Sequence, residues 1–141
     1  SKYSPTEFLV GMKYYQGDRS PNNAEREDTG MSKSWMHHKG RNKHHFEYWS
    51  DYSTVTKILS PVKMPNKYVI EMFCDRVAAS KIYQGKNYTD SHPLNYFLKS
   101  KKTRMIHPKT SKRIEFLLRM LEEKGEDETF RYIREHRKED Y

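Results

Sequence analysis

The chain has 141 residues, a formal net charge of +8 and a single cysteine, Cys74. A length of this order suggests one domain. One cysteine excludes an intrachain disulfide and a cysteine-built metal cage, and the lack of an apolar run of about 18 residues excludes a membrane-spanning helix. Mean hydropathy is −1.13, polar for a globular chain. Eleven tyrosines and six phenylalanines can still build a core while keeping polar tips near the surface. A cytoplasmic location is expected from the cysteine usage. The positive charge points to an anionic partner: a nucleotide, a phosphate ester or nucleic acid.

Ser4-Pro5-Thr6-Glu7 predicts a helix start, with Ser4 as cap, Pro5 in the first position and Glu7 closing a capping box. Phe8, Met12 and Tyr15 continue it as an apolar stripe, and Gly17 ends it. Residues 17–30 are polar and predict a loop, long enough to be functional. A histidine-rich helix is expected over 32–52, with Gly40 inside it. Residues 53–64 read as a loop. A helix over 65–84 carries Tyr68, Val69, Met72, Phe73, Val77 and Ile82. A turn-rich link leads to a short helix from Pro93 to about Lys101. A helix over 108–124 has Ile114, Leu117, Leu118 and Leu121 at i, i+3, i+4, i+7, and Gly125 stops it. A last helix is expected over 126–138. No strand shows convincing alternation. The expectation is an all-α, single-domain bundle of about six helices spanning 1–141.

The chemistry concentrates in His37-His38-Lys39-Gly40-Arg41-Asn42-Lys43-His44-His45. On a helix turning roughly 100° per residue, His38 and His45 nearly eclipse, with Asn42 between them. His37, Arg41, His44 and Tyr48 form a second stripe. Asp75 sits on an otherwise apolar helix, where a carboxylate is costly unless it is paired or holds a metal. Imidazole and carboxylate donors suit zinc, manganese, iron, nickel or cobalt more than calcium. His38, His45 and Asp75 are therefore the candidate ligands, with His37 and His44 as alternates should the helix rotate. Arg41, Lys43, Arg76 and Lys81 would hold an anionic phosphate at the mouth.

The stretches Ser1-Lys2-Tyr3-Ser4-Pro5-Thr6-Glu7-Phe8, His37 to Tyr48, and Met72-Phe73-Cys74-Asp75-Arg76-Val77-Ala78-Ala79-Ser80 together resemble an uncharacterised family of small bacterial and phage proteins. That family in turn resembles the HD-domain metal-dependent phosphohydrolase superfamily. The resemblance implies an HD-like helical fold. It also implies a divalent transition metal and hydrolysis of a nucleotide or other phosphate ester. In it, the His38/His45 stripe matches the superfamily's additional histidines, and Asp75 its final aspartate. Asn42 would orient substrate or ligand, and Arg41 and Arg76 would contact phosphate. The superfamily's His-Asp dipeptide does not occur in residues 1–141, and an N-terminal segment carrying it is expected upstream of Ser1.

A second reading is a non-enzymatic basic binding module for a phage, host or nucleic-acid partner. Its contact region would be Lys99-Ser100-Lys101-Lys102-Thr103-Arg104 with Tyr96 and His107, and its binding would be strongly salt-dependent. The two readings separate on geometry. The enzyme reading requires Asp75 to lie within about 12 Å of the histidines, the reach of a metal site with bridging waters.

Overall fold

A computed structural model of the chain describes residues 21–30, 34 and 42–141. Among these residues are four α-helices: α1 (Pro21–Thr29), α2 (Asn66–Gln84), α3 (His92–Lys99) and α4 (Pro108–His136). Two short strands, β1 (Ser50–Tyr52) and β2 (Leu59–Pro61), pair antiparallel with Ser50 opposite Pro61 and Tyr52 opposite Leu59. The architecture is broadly all-α. The helix expected at 4–17, with its Ser4 cap, falls outside the described residues.

α2 follows Pro65, which lacks an amide of its own at the cap position and whose carbonyl accepts from the amides of Tyr68 and Val69 at 2.9 and 3.2 Å. Val69, Met72, Phe73 and Val77 recur at helical spacing and are all buried. Gly85 closes the helix with φ of 54°, a backbone that a side chain would strain. α3 adds Leu94 and Phe97 to the core, and α4 adds Ile114, Leu117, Leu118 and Leu121. The periodicity over these segments therefore picked out most of the core face, although Ile82 is exposed.

The helices expected at 108–124 and 126–138 form one element with a break at the expected glycine. Gly125 has φ 83° and ψ 177° inside α4. The bend returns the chain over α2: Phe130 packs edge-on against Phe73 at 5.8 Å, and Ile133 is buried. A polar joint locks the start of α2 to the end of α4. Asn66 Nδ2 donates to the carbonyls of His136 and Arg137 at 3.4 and 3.3 Å. Its Oδ1 accepts from Arg113 Nε at 3.2 Å.

Two expectations are corrected. The predicted loop over 17–30 contains α1. Pro21 presets the first helical φ, and Ala24-Glu25-Arg26-Glu27 are good helix formers despite their polarity. Glu25 is buried and accepts a hydrogen bond from Ser34 Oγ at 2.9 Å.

The predicted 32–52 helix is the larger correction. Ser34 is helical, but residues 42–52 form a turn, a 3-10 turn (Phe46–Tyr48) and β1. Residues 31–33 and 35–41 lie outside the described set. Trp49 accounts for the change. Its indole Nε1 donates to the Lys43 carbonyl at 2.6 Å, and its amide to that of Phe46 at 3.0 Å. Trp49 and Phe46 pack against the core, and the indole occupies the Lys43 carbonyl that in a straight helix would accept from the Glu47 amide. β1 then turns at Ser53, whose hydroxyl accepts from the amides of Val55 and Thr56. β2 falls in the predicted 53–64 loop.

Candidate metal centre

Tyr68, Glu71 and Asp75 lie along one stripe of α2 at spacings of three and four. The 42–49 segment runs beside that stripe. Trp49 packs its ring 5.5 Å from Tyr68, which fixes the segment at one end. At the other, the Asn42 carbonyl accepts from the His45 amide at 3.1 Å. That turn swings two consecutive histidines toward α2. Their rings lie 4.6 Å apart, tilted by 38°.

The result is a convergence of His44, His45 and Asp75, whose candidate ligand atoms all lie within 4.8 Å of one another. His44 is buried, and His45 and Asp75 are half-buried. Glu71, one turn before Asp75, holds a carboxylate oxygen 4.0 Å from His44 Nδ1. At that distance Glu71 acts on the imidazole through its charge, beyond hydrogen-bond reach.

The donor set suits a divalent transition ion. Around a tetrahedral ion with nitrogen and oxygen donors at roughly 2.0–2.2 Å, two donors lie about 3.3–3.6 Å apart. The present spacing of up to 4.8 Å therefore needs an inward shift of up to about 1.5 Å. Two imidazoles and one carboxylate leave further positions for water or substrate oxygen.

Arg76 and Arg104 stand beside this cluster. Arg76 adjoins Asp75, and its guanidinium carbon lies 5.9 Å from the centroid of Phe97. Arg104 lies 5.4 Å from the same ring, 5.7 Å from Phe46 and 5.7 Å from Tyr96. Burial, and then the Arg104 charge, push Arg76 down to about 10, against the pull of Tyr96, Glu47 and Asp75. Burial also lowers Arg104, opposed by Tyr96 and Glu47.

The predicted ligands therefore sort as follows. His45 and Asp75 come together as expected. His44, an alternate in the helical reading, takes the place assigned to His38. His37, His38 and Arg41 lie outside the described residues. Asn42 sits at the start of the turn that aims the two histidines. Lys43 is exposed, and Lys81 is exposed and pairs with Glu126. Arg104 belongs to the basic stretch of the binding-module reading, yet it stacks inward. Within that stretch Lys101 pairs with Glu115 at 2.6 Å, leaving Lys99 and Lys102 exposed. Glu47 and Arg104 were not foreseen as neighbours of Arg76, and no spacing connects Arg104 to Arg76.

A broadly all-α fold with a three-donor cluster between its central helix and the 42–49 segment is thus the class of protein at hand. The chain belongs to the family of unknown function DUF5662, whose model matches residues 1–120. No curated protein and no solved structure matches it. No helix among the described residues is long and apolar enough to cross a membrane.

Proposed function

We propose that this chain is an HD-like, metal-dependent hydrolase of a nucleotide or other phosphate ester. The observation that carries the reading is the meeting of His44, His45 and Asp75, donors from two separate segments, within 4.8 Å. They would hold a divalent transition ion: manganese, iron, zinc, nickel or cobalt. When bound, such an ion supplies Lewis acidity and lowers the pKa of a water at the site. The chain's own residues do the rest. Glu71 acts on His44 through its charge. Asn42 holds the turn that presents both histidines and orients substrate or ligand. Arg76, and Arg41 by its place in the sequence, neutralise phosphate oxygens.

The test is metal content of the purified chain by mass spectrometry, with turnover of a panel of phosphate mono- and diesters. Asp75→Ala, His44→Ala and His45→Ala should each lose metal and activity together, while Lys101→Ala keeps its metal. Full occupancy in all three ligand variants would exclude these donors. A metal-free, inactive wild type across the panel would favour the basic binding module instead.

A further inference from the structure

We propose that Arg76 and Arg104 form a paired phosphoryl-binding site beside His44, His45 and Asp75, built for a group with three unsubstituted oxygens: a phosphomonoester or the terminal phosphate of a nucleotide. The substrate class rests on the phosphate-ester reading above, whereas the anion site stands on its own geometry.

Two guanidinium groups share one aromatic wall. Both carbons lie within 6 Å of the Phe97 centroid, at 5.9 and 5.4 Å. Arg104 is further enclosed by Phe46 and Tyr96. Aromatic faces hold a guanidinium plane in place but leave its in-plane N–H donors unused. Among the described residues neither arginine has an ion pair within 4.0 Å or a hydrogen bond, and Arg76 Nε and Arg104 Nη1 are buried without a hydrogen-bond partner.

Three other arginines among the described residues differ. Arg113 binds Asn66 and Tyr132, Arg119 binds Glu115, and Arg131 binds Glu128. Glu47 acts electrostatically on both Arg76 and Arg104, and Asp75 on Arg76, but among the described residues neither carboxylate forms an ion pair with either guanidinium, and Glu47 Oε2 is also buried without a hydrogen-bond partner. Buried charges that repel each other and lack a partner are normally eliminated from a fold. Their retention next to a metal-ligand cluster indicates an anion that completes them.

Arginine forks match oxyanions bidentately. Asp75 acts electrostatically on Arg76, and Phe46, over which Arg104 lies, follows His45 in the chain, so an anion held by the two forks would border the donor cluster. Engaging Arg76, Arg104 and the cluster at once takes three terminal oxygens. A monoester phosphoryl group has three, and an internal diester has two.

The test uses metal-stripped protein in buffer free of phosphate and sulfate, with inorganic phosphate, methyl phosphate and dimethyl phosphate as probes, followed by calorimetry and phosphorus NMR. Phosphate and methyl phosphate should bind the wild type. Dimethyl phosphate should bind about tenfold or more weaker, the worth of one charge-assisted hydrogen bond. Arg104→Gln should weaken phosphate by a similar factor or more, and Arg104→Lys, which keeps the charge without the fork, by less. Arg76→Met serves as a second variant should Arg104→Gln misfold. Phosphate affinity within about twofold of wild type in these variants, or no phosphate binding by the wild type, overturns the site. Equal binding of dimethyl phosphate overturns the monoester assignment. Metal content measured on the same preparations separates the two readings. A wild type that binds phosphate but never metal sinks the metal centre and keeps this pair. A metal-loaded wild type blind to phosphate does the reverse.

Discussion

Replacing Arg76 with methionine should make the ligand-free protein more stable. The Arg76 guanidinium is pushed from its ordinary value down to about 10 by burial and by Arg104, which corresponds to a penalty of about 3 kcal/mol for keeping it charged in the fold. Methionine fills much of the same space along the arginine stem and removes both the buried charge and its repulsion of Arg104. It gives up the contact with the Phe97 face, worth about 1 kcal/mol. The net gain should be about 1–2 kcal/mol, or roughly 3–7 °C in Tm for a chain of this size. Arg76 is charged in both folded and unfolded chains near neutrality, so the gain should be flat between about pH 6 and 8. The assay is urea unfolding followed by circular dichroism, in metal-free buffer without phosphate, since a ligand of the folded state would mask the effect. Saturating phosphate should then narrow the difference by stabilising only the wild type. A loss of about 1 kcal/mol or more in Arg76→Met would refute the reasoning, because it would mean that the guanidinium is already satisfied.

Gly125→Ala should cost about 1–3 kcal/mol in denaturant unfolding, because φ 83° with ψ 177° is a region essentially reserved for glycine. The added Cβ would meet only Asp90 Oδ2, at an ordinary 3.9 Å, so the cost is conformational. Gly125→Asn should be no better, and an unchanged midpoint in either variant would contradict this account. Glu115 is held below the usual carboxylate range by its hydrogen bond from Lys101, with a further one from Arg119. Its contribution is therefore present above the ordinary glutamate value and is lost as pH falls through the lower folded value. Glu115→Gln should lower stability by about 0.5–1 kcal/mol at neutral pH and flatten that acid-side decline. Parallel pH profiles for variant and wild type would exclude the effect.

Much of the helical core was legible because its signal is local. Val69, Met72, Phe73 and Val77, and then Ile114, Leu117, Leu118 and Leu121, declare their buried faces within single helices. Gly125 marks the break because one residue must adopt a backbone that others avoid. The hairpin was hidden, since strands of three residues are too short to show alternation. In the donor cluster, Asp75 was readable as a carboxylate among apolar neighbours, and His45 by its place near it. His44 was demoted because consecutive side chains on a helix diverge by about 100°. Two adjacent histidines can face one point only if the backbone leaves the helix, and it does so because Trp49 draws the segment onto the core. Arg104 had no local signature, for its role comes from packing against Phe46 and Phe97.

The Asn66 joint has a consequence for the order in which the molecule is made. It ties the first turn of α2 to carbonyls 70 and 71 positions later in the chain. His44, His45 and Asp75 leave the ribosome long before that clasp can close. Contacts so distant in sequence form late and are costly to close. Under the metal-centre reading, the three donors would be separate weak ligands during synthesis and would become a chelating set once the far end of α4 has docked. On that reading, affinity for the ion includes the free energy of that docking. A substitution such as Asn66→Ala, which lies outside the donor set, should then loosen the ion by leaving the scaffold unlatched.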